Sequence, residues 1–147
     1  MNLRDWQANR WITEHRTNRL ELKDLLAVAD RDLADSGVAG LSADARLGLA
    51  YSGALQLATA ALAVCGYRAA RERHHHTVIQ SLAYTIAGDS ALIAEFDGFR
   101  KKRNMSGYER PGCVSDHDAA RMKALALRLR GDVGTWLREH HPELLAD

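Results

Sequence analysis

Arg103 occupies a position where an arginine needs a physical reason. It belongs to the run Phe99-Arg100-Lys101-Lys102-Arg103-Asn104-Met105-Ser106-Gly107-Tyr108-Glu109. With Phe96 at zero on a helical wheel, Leu92 falls at about −40°, Phe99 at about −60° and Arg103 at about −20°. Arg103 therefore lies inside the apolar stripe of this predicted helix. Arg100 and Asn104 flank the stripe, and Lys101 and Lys102 point outward. A charge on a core-facing line is costly unless something compensates it. Either a carboxylate in the bundle pairs with Arg103, or the guanidinium opens onto a cleft or a subunit interface. There its planar fork suits a phosphate. Arg68, Arg71 and Arg73 add to a local positive patch or are simply solvated.

The triplet His74-His75-His76 is the other group with chemical capacity. Consecutive helical residues point about 100° apart, so three in a row cannot all ligate one ion. No Asp or Glu sits at metalloprotease spacing from them. His75 shares a face with Val78, Ile79, Leu82 and Ile86, which makes it a core-edge histidine. His74 and His76 are expected to face solvent. No metal site is expected here, nor at His140-His141.

Other chemistry is excluded by what the chain lacks. It has no glycine-rich phosphate loop, no Gly-x-Ser-x-Gly elbow and no Cys-His spacing of a known kind. Its two cysteines, 48 positions apart, form neither a disulfide framework nor a cysteine zinc site. No cofactor is expected. Trp6, Trp11 and Trp136 are read as packing residues.

These groups must be positioned by helices, because no alternating β-branched run suggests a strand. Residues 1–18 are an N-terminal arm or a short helix without a clear cap. Asn18 with Glu21 reads as a capping box opening a helix, which should close at a left-handed Gly37. Ser42 caps the next. Its broad apolar face runs from Leu47 through Tyr51, Leu55 and Leu62 to Cys65, about 35 Å at ~1.5 Å per residue. Gly66 stops it, and its many small residues suit a central helix. A basic connector leads to the His75 helix, which ends at Gly88. Asp89 or Ser90 caps the helix of Leu92, Phe96 and Phe99, and the segment 107–112 breaks it. Ser115 with Asp118 opens the last helix, and Pro142 ends it. The expectation is an all-α fold, a single up-and-down bundle of four to six helices over residues 19–141, with 142–147 as a tail.

Composition sets the outer bounds. A chain of 147 residues, 46% hydrophobic and 27% charged, suits one globular domain. A formal net charge of +1 excludes a strongly basic nucleic-acid protein. The charged residues around Trp6 and Trp11 argue against a signal peptide, and no membrane span is expected. The expected setting is cytoplasmic. Sixteen arginines against four lysines, with 24 alanines, match a high-GC bacterial coding bias.

Three segments resemble a HEPN domain, a small helical-bundle family of nucleotide-associated proteins. Ala50-Tyr51 through Ala61-Leu62 to Gly66-Tyr67-Arg68 resembles the family's long helix and its terminating turn. His75-His76 with Val78-Ile79 resembles the start of the following helix. Arg103-Asn104-Met105-Ser106-Gly107-Tyr108 resembles the signature of an arginine, a polar residue, a short spacer and a histidine. The resemblance extends from about residue 20 to 140. It implies a homodimer with the signature near the two-fold interface. In active members, arginine and histidine from two subunits form a metal-independent ribonuclease, often a toxin paired with a nucleotidyltransferase-like antitoxin.

Arg103 and Asn104 match the first two signature positions, and Tyr108 stands at the histidine position. An ordinary tyrosine, with a pKa of about 10, is a poor general base at neutral pH. Members with a tyrosine there act as non-catalytic binding or assembly modules. The expected function is thus a non-catalytic dimer that binds RNA, a nucleotide or a protein partner near Arg103. Arg100, Arg103 and His75 would hold the ligand. The alternatives are a ribonuclease toxin acting through Arg103, Asn104 and Tyr108, and an interaction bundle with no ligand.

Overall fold

Side-chain caps set most of the helix starts. In the computed structural model, which describes residues 1–108 and 113–145 with 105–108 as backbone only, four helices begin this way. Asn2 and Asp5 form a reciprocal capping box on α1, Leu3–Ala8. The N-terminal arm is therefore a short helix with a good cap, which the sequence reading missed. Asn18 accepts from the Glu21 amide at 2.8 Å and opens α2, Arg19–Asp35. Glu21 does not complete that box, because its carboxylate accepts from His15 and Thr17 instead. Ser42 caps α3, Ala43–Val64, through the Ala45 amide. Ser115 and Asp118 form the expected box on α6, Asp116–His140.

The remaining elements are α4, His74–Thr85, and α5, Ser90–Tyr108. Asp89 bonds the Ala91 amide at the start of α5. A single 3-10 turn, Pro142–Leu144, follows α6. The helix break expected over 107–112 lies outside the described residues beyond Tyr108, up to which α5 continues.

The fold is an all-α bundle that, among the described residues, also carries one small sheet. Here the structure departs from the expectation of no strands. Strand β1, Ile12–Glu14, pairs antiparallel with β2, Tyr67–Ala69, in the register Ile12–Ala69, Thr13–Arg68 and Glu14–Tyr67. Each strand is only three residues long, too short to show alternation in sequence. The sheet ties the N-terminal arm to the end of α3, so residues 1–18 are part of the fold. Gly66 enters β2 with φ 97°, a left-handed turn suited to glycine. The left-handed residue expected at Gly37 is found instead at Gly40, φ 89°.

Helix α3 is the axis of the bundle and touches α2, α4, α5 and α6. Its fully buried residues include Tyr51, Leu57 and Leu62. By length and composition it is apolar enough to cross a membrane, which the sequence reading did not anticipate. In this fold 61% of its most apolar window is buried, and the surrounding helices account for its character. Phe96 of α5, Ile79 and Leu82 of α4, and Met122 and Leu129 of α6 complete the core. Gly53 lets α2 approach closely: a Cβ there would meet the Ala29 carbonyl and the Leu33 side chain at 3.2 Å. The buried Asp32 accepts from Ser52 at 2.9 Å and from Arg31 at 3.2 Å.

Candidate functional site

Helices α3, α4 and α5 bring the chemical side chains to one end of the bundle. Tyr51 is wedged among them, its ring edge-on to Phe96 at 5.6 Å between centroids. Its hydroxyl lies 3.1 Å from Nδ1 of His75. Over the same ring sits Arg103, with its guanidinium carbon 5.2 Å from the centroid, inside cation–π range.

Arg103 follows the core-facing line of α5, as the wheel places it, but its side chain is exposed. Phe99 and Phe96 are buried one and two turns earlier, respectively. The stripe reaches the edge of the core at Arg103, which covers the face of the buried Tyr51 ring. Asn104 beside it is exposed. The side chain of Tyr108 lies outside the described residues.

Arg100 is engaged differently. Its Nε donates to Asp97 at 2.7 Å. His76 Nδ1 lies 3.3 Å from the same carboxylate oxygen, and Lys101 stands 3.8 Å from the other. His76 was expected to face solvent; Asp97 draws it against α5. Lys102 leaves this group and pairs with Asp118 at 2.7 Å.

The environment tunes the titrating groups. Burial pushes the Tyr51 phenol up to about 12, although Arg103 and Arg100 oppose the shift. Burial also lowers the His75 pKa, and the charges of Arg103, His74 and Arg100 lower it further. The imidazole and the phenol are therefore both neutral at pH 7. Asp97 is raised by burial, but its hydrogen bond and charge interaction with Arg100, with help from His76, outweigh this and lower its pKa overall.

The resulting arrangement is a neutral imidazole and a fixed phenol beneath an exposed guanidinium, with a carboxylate-anchored arginine alongside. It can accept hydrogen bonds or a proton at His75 and can offer positive charge to an anion at Arg103. The structure thus gathers His75, Arg100 and Arg103. Sequence reasoning missed Tyr51, His76 and Asp97. The spacing of Asp97 to Arg100 and Lys101, at i+3 and i+4, was a readable ion-pair signal. Nothing local distinguishes Tyr51 from an ordinary core tyrosine. Among the described residues, no group of three His, Cys, Asp or Glu is arranged to hold a metal ion.

Compared with family models, curated proteins and solved structures, the chain finds no match.

Proposed function

We propose that the chain is a HEPN-like, cytoplasmic homodimer that binds the phosphate of RNA or of a nucleotide at Arg103 without cleaving it. The observation behind this reading is the Arg103 guanidinium, exposed and held over the Tyr51 ring beside a neutral His75. A platform of this kind limits the conformations of a flexible side chain before the ligand arrives, which reduces the entropy lost on binding. Tyr108 at the signature's histidine position supports binding over catalysis.

The test is anisotropy of a fluorescein-labelled oligoribonucleotide, with light scattering for the oligomeric state. One charge-assisted contact contributes about 1.5–3 kcal/mol. Arg103→Ala should therefore weaken binding by roughly tenfold to a hundredfold. A folded variant that binds as the parent does would overturn the reading, as would a monomeric parent.

One observation favours a second reading, a metal-independent ribonuclease toxin with a nucleotidyltransferase-like antitoxin as partner. His75 is neutral at pH 7 because burial disfavours its charged form, and Arg103 is close enough to disfavour it further. In that case His75 would take the proton, while Arg103 and Asn104 steady the phosphate. RNA cleavage in EDTA, lost in both His75→Gln and Arg103→Ala, would establish this reading in place of the first.

A further inference from the structure

We propose that the groove between α1, the turn into β1 and the start of α4 is a second ligand site, for a nucleoside 5′-phosphate, free or at the end of an RNA strand. The groove has a volume of about 820 Å³, within the range of small-ligand pockets. Tyr51, His75 and Arg103 are not among the residues that line it. His76 lines it and reaches Asp97 on the far side.

One wall is aromatic. Trp11 is 45% exposed. It is nonetheless held in place, with its ring edge-on to Trp6 at 5.9 Å and Trp6 edge-on to Tyr84 at 5.3 Å. An exposed indole fixed in this way offers a face on which any base can stack.

The lining is also cationic. Arg10, Arg71 and Arg73 all line the groove. Among the described residues none of the three is in an ion pair. Arg46, Arg121, Arg128 and Arg130 each meet a carboxylate. Glu72 is the one carboxylate on the groove, and it pairs with none of these arginines. The local excess of positive charge thus stands in a chain of net charge +1.

The start of α4 points the same way. Its N-cap is Arg73, which provides no side-chain cap. The amides of the first turn and the helix dipole favour an anion there. Arg73 has φ 55° and Arg10 has φ 65°, left-handed values uncommon for arginine. Both residues flank this one groove, and such backbone collects at ligand sites.

Thr77 adds a polar group to the lining. It is only 8% exposed and lines the groove. Its hydroxyl has no hydrogen-bond partner among the described residues. The hydroxyl itself is accessible from the groove, where a phosphate or ribose oxygen could accept from it. Volume, stacking face, guanidinium cluster, uncapped amides and an accessible hydroxyl together fit base, sugar and phosphate in a single ligand.

The test is calorimetric titration of the full chain with AMP, GMP, CMP and UMP, with the matching nucleosides, and with a tetraribonucleotide with and without a 5′-phosphate. Binding should require the phosphate, and each nucleoside should be at least tenfold weaker than its monophosphate. A phosphorylated tetranucleotide at least tenfold tighter than the mononucleotides would identify an RNA end, and equal affinities a free nucleotide. Trp11→Ala, Arg71→Gln and Arg73→Gly should each weaken binding at least tenfold. Glycine accepts φ 55°, so Arg73→Gly removes the guanidinium without straining the turn. No binding by any phosphorylated probe at millimolar concentration would overturn the proposal. So would binding that survives these variants and disappears only in Arg103→Ala, which would leave the Arg103 site as the sole receptor.

Discussion

Tyr51 and His75 meet through a 3.1 Å hydrogen bond between helices α3 and α4, and both groups are uncharged at neutral pH. The bond fixes the imidazole, and the same tyrosine ring carries Arg103 on its face. One side chain thus positions the two groups proposed to meet a ligand. Tyr51→Phe keeps the ring and removes the hydroxyl, leaving Nδ1 of His75 without that partner. The expected loss is about 0.5–1.5 kcal/mol, a drop of a few degrees in Tm. RNA affinity should change by less than roughly threefold, because the platform remains. Thermal melts and anisotropy check both parts, and a large loss of affinity would show that the hydroxyl itself meets the ligand.

His75 also sets an acid limit on stability. An unfolded histidine takes up a proton near its ordinary value of about 6.5, whereas the folded imidazole resists until a lower pH. Between those two values the unfolded chain binds more protons, so stability falls as pH falls below about 6.5. His75→Gln removes that contribution and should narrow the difference in Tm between pH 7.5 and 5.5. An NMR titration reads the site directly. A His75 that titrates at or above 6.5 would contradict the prediction.

The local parts of this fold were legible in sequence, and the nonlocal parts were not. Ser42 and Ser115 cap through amides three residues away, and Gly66 turns where it stands. Such features need no knowledge of the rest of the chain. Asn2 with Asp5 obeys the same local rule as Ser115 with Asp118 and is equally readable. The pairing of Ile12 with Ala69 joins two segments far apart in sequence, and neither is long enough to show a period. The partly exposed His75 could be singled out by its helix face. Its partner Tyr51 could not, because a tyrosine on an apolar face reads the same whether or not its hydroxyl has found an imidazole. Arg103 was legible as an anomaly on the wheel; that its stripe ends at the edge of the core depends on how far α5 extends past α3.

Asp97 restrains the positive charge beside the site. Its carboxylate engages Arg100, His76 and Lys101. Asp97→Asn should lower stability by roughly 1–3 kcal/mol, since a partly buried charged pair loses one member. It should also free Arg100 and tighten RNA binding, with a steeper salt dependence. Stability and affinity would then move in opposite directions, a pattern that general unfolding cannot produce. Anisotropy at 50 and 200 mM salt, with melts on the same samples, decides this. Weaker binding in a folded variant would mean that Asp97 orients Arg100 for the ligand.

Two glycines of α3 separate packing from helix propensity. At Gly53 a Cβ would meet the Ala29 carbonyl and Leu33 at 3.2 Å, whereas at Gly48 it would meet nothing within 4 Å. Both substitutions to alanine gain about 0.5–1 kcal/mol from backbone propensity. Gly48→Ala should keep that gain and raise Tm. Gly53→Ala must also push α2 away from α3, at a typical overpacking cost of about 1–3 kcal/mol. Its net effect should therefore be destabilising, because a backbone carbonyl cannot move aside as a side chain can. Urea unfolding of the two variants beside the parent measures the difference. A stabilised Gly53→Ala would mean that α2 and α3 are not locked at this crossing.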